Sequence, residues 1–460
     1  MIIKINTILP IMIIIIALCA MPGFFNFAFA LPIILFLLYY LIIFNRKSYR
    51  FFKYTIKNSL TFKLFLMTIC WMLISYLFNF ATNNYSFIHF VYTYFFGYLL
   101  NFIFCFVIGL LVSRYIKTEI FIKIIISIVF IILFFALIEI IMFKYHIPGL
   151  EYIISLSSGR PIESVLGYKY EGFPRIQSLF NEPAHFAWFL TCNIPIIITI
   201  FKTKYKIFSN ILINKLIKFS IIPLWIISLI YTQSAIFLIF SVIILLIYSL
   251  KMIKNNKFLF LVVCTILLII ILLLTTGFID FSDTYLRRVI NTVKSFGDFQ
   301  TFAMVEPSLA TRIVHWVNMF IVFLHHPIFG VSCGNLNNFF PEQLVHSPLP
   351  YTQEIIRADI LAKVPRPVLP SIFFRTLVDT GIVGTLLFYS FLLKIYNNLK
   401  RLNKKLECIS NDFFNAIQQI VIIYICLTFY DSQLYCHYFW IIFGYVVGLY
   451  MQLKYINERD

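Results

Sequence analysis

Three short stretches of this sequence carry the residue types that chemistry needs. The first runs Gly172-Phe173-Pro174-Arg175-Ile176-Gln177-Ser178-Leu179-Phe180-Asn181-Glu182-Pro183-Ala184-His185. The second holds Arg312, His315 and Trp316, then His326-Pro327-Ile328-Phe329-Gly330-Val331-Ser332-Cys333-Gly334. The third is Leu377-Val378-Asp379-Thr380-Gly381-Ile382-Val383-Gly384. Guanidinium groups hold anions in a bidentate fork, and carboxylates or imidazoles exchange protons. Arg312 and His315 are one helical turn apart, so both can reach one ligand. Each stretch also has a plainer reading. Asn181 or Glu182 caps a helix that starts at Pro183, while Arg175 meets lipid phosphates. The second stretch is then a surface helix with an ordinary polar edge. The third is helix packing by small residues.

What positions these stretches is a set of membrane-spanning helices. Of the 460 residues, 61% are hydrophobic and 12% charged, whereas an average soluble protein is roughly 25% charged. A soluble core cannot bury that much apolar side chain, so lipid is the solvent for most of the chain. Apolar runs long enough to cross fall at 7–22, 26–44, 64–80, 89–112, 120–143, 183–201, 219–232, 234–250, 258–277, 371–393, 413–430 and 438–453. The fold class read from them is an all-α polytopic membrane protein with about 12 transmembrane helices. The whole chain, 1–460, reads as a single membrane domain without an internal repeat.

The formal charge of +18 is a topology signal. Most of the lysines and arginines fall at the N-terminus and on every second connection, as in Arg46 to Lys63, Lys202 to Lys218 and Lys394 to Lys405. The short connections between them hold none. The positive-inside rule makes the basic face cytoplasmic, with both termini there. The acids Glu119, Glu407, Asp412, Glu458 and Asp460 share that face, and the rest of the chain is close to neutral. A nucleic-acid groove is therefore not expected. Ala28-Phe29-Ala30 can be read as a signal-peptide cleavage site, but the Pro22-Gly23 turn and the next span favour an uncleaved hairpin. Most of the nine cysteines sit in spans; Cys333 and Cys436 could both face an oxidising compartment.

Two long connections lie on the opposite, outer face: 144–182, and 278–370 between helices 9 and 10. Loops of this length are usually functional. All eight histidines map to the outer half. The cytoplasmic connections are short, and no GxxxxGK[ST] loop is present. Within the larger loop, 308–326 reads as an amphipathic helix. At about 100° per residue, Ile313, Trp316, Val317, Phe320 and Leu324 fall on one side, with Thr311, Arg312, His315, Asn318 and His326 on the other. A span there would put Lys394 to Lys405 outside, so the helix is expected to lie on the membrane surface or cap a cavity. Pro327 ends it, and Gly330 and Gly334 allow a tight turn. The spans themselves read as almost free of charge, with Glu139 near the outer end of its helix.

In this order and topology the three stretches resemble the bacterial O-antigen polymerase and O-antigen ligase superfamily. The resemblance rests on Arg175 with Phe180-Asn181-Glu182-Pro183, Arg312 with Trp316, Pro327 to Gly334, and Gly381 to Gly384. Two departures stand out. Ligases of this superfamily usually carry a His about ten residues before the first glycine of the last motif, where this chain has Leu369-Pro370-Ser371. The turn reads Gly330-Val331-Ser332 rather than Gly-x-Gly. The first departure favours polymerase over ligase.

The resemblance implies a GT-C-like glycosyltransferase at the periplasmic face of a bacterial inner membrane. Its donor and acceptor are undecaprenyl-pyrophosphate-linked oligosaccharides. Arg175 and Arg312 are then the pyrophosphate clamp, with Arg287 and Arg288 as further candidates. Glu182 is the first candidate for the base that takes the acceptor proton, followed by His315 and His346. No cofactor and no metal are expected. Membrane lipid is a partner, nucleic acid is not, and a polysaccharide chain-length regulator is a further partner the resemblance allows. The rival readings are an O-antigen ligase and, in another class, a lipid or solute transporter or flippase.

Overall fold

The computed structural model describes residues 46–82, 105–145, 173–180, 182–202, 211–234, 240–245, 295–333, 335–352, 371–404, 408–430 and 437–457, with isolated positions between. The expected spans 26–44 and 258–277, most of 7–22 and 89–112, and both Arg287 and Arg288 lie outside the described residues. The described chain is helical apart from a two-residue ribbon. In order, α1 is Arg46–Asn58, α2 Leu60–Thr82, α3 Cys105–Val112 and α4 Thr118–Tyr145. Strands β1 (Lys169–Tyr170) and β2 (Phe173–Pro174) precede α5 (Pro183–Cys192), α6 (Ile194–Lys202) and α7 (Ile211–Tyr231). Then come α8 (Phe299–Val305), α9 (Pro307–His325), α10 (Leu336–Val345), α11 (Ile372–Asn403), α12 (Cys408–Leu427) and α13 (His437–Asn457).

Six helices among these residues are long and apolar enough to cross a membrane, and a seventh span results if α5 and α6, bent by 48°, form one. The chain is thus consistent with a polytopic all-α membrane protein. The described residues fall into two compact units, 46–120 with 295–457 and 121–247.

In the first unit α11 packs against α2, α9, α12 and α13, and α13 packs along α3. The α3–α13 contact is backbone-close. A methyl group added at Gly109, Gly444 or Gly448 would strike a carbonyl of the facing helix. Small residues let spans approach this way where lipid supplies no hydrophobic drive.

The decisive feature is a break in α11 at Gly381, where φ is 66° and ψ −171°. A break strands carbonyls that the next turn would have capped, and each one unmet in lipid costs several kcal/mol. The carbonyls of Val378 and Thr380 find donors outside the helix, and that of Asp379 lies beside a hydroxyl. Val378 O accepts the Val331 N–H at 2.8 Å, and the Ile382 N–H turns to Pro327 O at 2.9 Å. Trp71 Nε1 donates to Thr380 O at 2.8 Å. The Ser75 hydroxyl donates to Phe329 O at 2.6 Å and lies 3.2 Å from Asp379 O. Asn79 Nδ2 donates to Gly330 O at 3.0 Å. Phe329 is stacked between Trp71 and Phe78. The turn after α9, the break in α11 and one face of α2 are therefore a single knot. Gly330 and Gly381 both hold positive φ, and each backbone occupies the space a side chain on the other would need.

Helix α9 presents its sides in the order lipid demands. Thr311, His315 and Asn318 are buried, while Phe320 and Leu324 are 44% and 57% exposed. Asn318 Nδ2 donates to Ser347 Oγ at 2.9 Å, and the Thr311 hydroxyl meets that of Thr352. Val314, Met319 and Val322 pack with Val331, Phe340, Leu344 and Val378 into one apolar core. The apolar edge read from the sequence is thus the outward one. By length and composition α9 also qualifies as a span. At its end, burial and then the neighbouring His325 hold the His326 imidazole below its ordinary range.

The knot makes a prediction. Gly381→Ala would force a positive φ on a Cβ and drive it into Ile328 O, at a cost of about 2–5 kcal/mol. Trp71→Phe removes only the donor to Thr380 O and is expected to cost about 1–3 kcal/mol. Melting of the purified variants in detergent gives the order, and an unshifted melting point for Gly381→Ala contradicts the knot.

Candidate functional site

In the second unit the chain enters the site from the β1–β2 ribbon, in which Lys169 pairs with Pro174 and Tyr170 with Phe173. The next residues are held from two sides. The Ile176 N–H donates to Tyr231 O at 3.1 Å, and Arg175 Nε donates to Thr232 O at 3.2 Å. From α4, Glu139 Oε2 accepts the N–H groups of Gln177 at 3.0 Å and Ser178 at 2.7 Å. Ser178 has φ 50°, and its hydroxyl donates to Ile132 O at 2.7 Å. Ile176, Leu179 and Phe180 are buried, and the Phe180 ring meets Phe186 and Phe189 of α5. Neither end of the fully buried Gln177 amide has a hydrogen-bond partner among the described residues. Such a group calls for a polar neighbour such as water or a ligand.

Glu182 stands at the N-cap of α5 with Pro183 at the first helical position, but its side chain makes no capping hydrogen bond. It faces outward at 47% exposure, 3.6 Å from His185 Nε2. The plain capping role expected for its carboxylate is therefore not what it does. Asn181 lies outside the described residues.

In the first unit Arg312 is half-buried, and its guanidinium carbon lies 4.5 Å from the centroid of the Tyr430 ring. One turn on, Trp316 stacks on Phe374 of α11 and meets Tyr430 edge-on. An arginine over an aromatic face keeps its charge and its outer N–H groups while its plane is fixed. His315 turns elsewhere, buried with its ring edge-on to Phe340 of α10 at 5.1 Å. His346 is exposed at the end of α10. Cys333 is buried, and Cys436 lies outside the described residues.

Ser371, standing where ligases usually carry a histidine, caps α11. Its hydroxyl oxygen accepts the Phe374 N–H at 3.3 Å and its hydroxyl donates to Thr428 O at 3.0 Å. Just inside that cap, Arg375 Nε lies 3.5 Å from Asp379 Oδ2, with side chains only 8% and 2% exposed. The expectation of nearly charge-free spans fails here, because α11 carries a buried ion pair one turn before its break. Opposite charges four residues apart in an apolar run were the signal for it. Glu139 also had a signal, a single carboxylate in a long apolar helix. Tyr430 had none. Among the described residues no three His, Cys, Asp or Glu side chains converge as a metal would need.

No curated protein matches the chain. Residues 219–389 match a family model described as O-Antigen ligase. The matched stretch runs from α7 into α11, so it takes in Arg312, the Pro327 turn and Gly381, and leaves Arg175 and Glu182 outside it. That match supports the likeness to the O-antigen ligase and polymerase superfamily and does not separate the polymerase from the ligase.

Proposed function

We propose that this chain is a surface-polysaccharide polymerase of the O-antigen type. It joins undecaprenyl-pyrophosphate-linked oligosaccharide repeat units at the periplasmic face of a bacterial inner membrane, with both termini cytoplasmic. The family match over 219–389 carries the glycosyl-transfer reading. The helix-capping Ser371, in place of an imidazole, favours polymerase over ligase.

In the proposed reaction an acceptor sugar hydroxyl attacks C1 of the donor glycan, and the bond from C1 to pyrophosphate oxygen breaks. The hydroxyl proton passes to a base, and the electron pair leaves with the pyrophosphate. Direct displacement of this kind inverts the anomeric centre. Arg175 and Arg312 are assigned to the developing charge on the leaving group, with Arg287 and Arg288 as further candidates. A guanidinium stays charged and fits phosphate oxygens bidentately, so the reaction needs no metal. Support for Arg175 is its anchored backbone and the Nε bond to Thr232 O, which fix where its guanidinium stands. Support for Arg312 is its orientation by Tyr430. Glu182 is the proposed base, because its outward carboxylate pairs only loosely with His185. His315 and His346 are the alternatives. His315 is the weaker of the two, since its ring is already packed against Phe340.

A transporter would keep ionisable groups inside its spans, as the Arg375–Asp379 pair does. The family match weighs against that reading. A ligase would share the clamp and differ in the acceptor, lipid A–core in place of a second repeat unit. Loss of a polymerase leaves core plus one repeat in the lipopolysaccharide ladder, and loss of a ligase leaves bare core.

Arg175→Ala and Arg312→Ala are expected to lower polymer formation at least about 100-fold at normal protein level, in line with losing one charge-stabilising group. Arg312→Lys should fail nearly as badly, since an ammonium cannot make the fork. Long-chain polymer from both alanine variants would remove the clamp. For the aromatic support, Tyr430→Phe keeps the ring and should retain activity within a few-fold, whereas Tyr430→Leu should lose roughly tenfold or more. Equal activities in those two variants would show that the ring does not orient Arg312.

A further inference from the structure

Glu139 is out of place by every stability criterion. It is 1% exposed, in the outer part of the 28-residue apolar helix α4. A carboxylate in such surroundings is costly unless its oxygens are occupied, and leucine would serve packing better. Its Oε2 is met by the backbone of one short segment. The consecutive N–H groups of Gln177 and Ser178 converge on Oε2. They can do so because Ser178 takes the left-handed conformation. A pair of adjacent amides arranged in this way is a nest for an anionic oxygen. A second tie joins the same segment to the same helix, from the Ser178 hydroxyl to Ile132 O.

Arg175 lies two residues upstream, on backbone that is also fixed from the α7 side through Tyr231 O and Thr232 O. Free to move, that segment would let the guanidinium sample many positions and spend binding free energy on ordering it. We infer that Glu139 is a positioning residue: from inside the bilayer, its carboxylate clasps the Gln177–Ser178 amides and so fixes the backbone that presents Arg175 to a diphosphate. This rests on the proposed function for the identity of the ligand, and not for the clasp itself.

The two parts can be tested apart on the purified full-length protein in lipid nanodiscs. Hydrogen exchange reads the clasp. Glu139→Ala is expected to speed exchange across 175–180 at least about tenfold, with residues 120–135 unchanged. Binding of undecaprenyl pyrophosphate reads the consequence. Glu139→Ala should weaken it about as much as Arg175→Ala, and the double variant should bind no more weakly than Arg175→Ala alone, because both act through one group. Glu139→Gln keeps the shape and an acceptor oxygen and should fall between wild type and Glu139→Ala in both readings. It carries the test if Glu139→Ala does not accumulate. Unchanged exchange in the 175–180 segment overturns the clasp, and losses that add in the double variant overturn the positioning role. Wild-type affinity in Arg175→Ala itself would instead overturn the clamp of the proposed function, leaving hydrogen exchange to decide the clasp.

Discussion

Buried backbone polar groups have no water to turn to, so irregular backbone in the interior must be completed by the protein itself. The rest of this structure depends on how that constraint is met in two places. At Gly381 the helix breaks, and stranded carbonyls are taken by Trp71 and by the amide of Val331, while the Ser75 hydroxyl ties the same region to Phe329 O. At Ser178 the chain turns back against α4, and its amides are taken by Glu139. The net gain from an ordinary hydrogen bond is about 1 kcal/mol, while an unmet buried group costs more, about 1–3 kcal/mol. These bonds are therefore conditions for the two breaks to exist at all.

The proposed function draws on what hangs on each break. The turn from Pro327 to Ser332 both gives to and takes from α11, so the end of α9 moves only with that span. Arg312 rides on α9 and is steadied by Tyr430 at the end of α12. Arg175 rides on the segment that Glu139 and the α7 carbonyls hold. A rigid cation costs less to organise around a departing diphosphate than one on a mobile loop. In the proposed reading, that is the physical sense in which a helical membrane fold supports glycosyl transfer.

Much of this was legible in the sequence. Long apolar runs gave the helices, Pro327 gave the end of α9, and Gly330 marked the turn after it. The two sides of α9 were also readable from its periodicity, although only the structure shows the apolar one turned outward. Hydrophobic spacing reveals a face and not its partner, which is why other features were missed. Glu139 meets its amides 38 and 39 residues away, and Trp71 meets Thr380 across 309. Gly381 to Gly384 read as smooth packing by small residues, yet Gly381 is where the helix breaks. The Arg375–Asp379 pair was visible as spacing, but apolar neighbours on both sides masked it.

The most direct test of the proposed chemistry is a reconstitution with purified protein, its undecaprenyl-pyrophosphate-linked repeat unit and EDTA, with products separated by glycan length. Chains of many repeats should form from that single substrate, with free undecaprenyl pyrophosphate released once per bond made. Products that never exceed one repeat until lipid A–core or a divalent metal is supplied would contradict it.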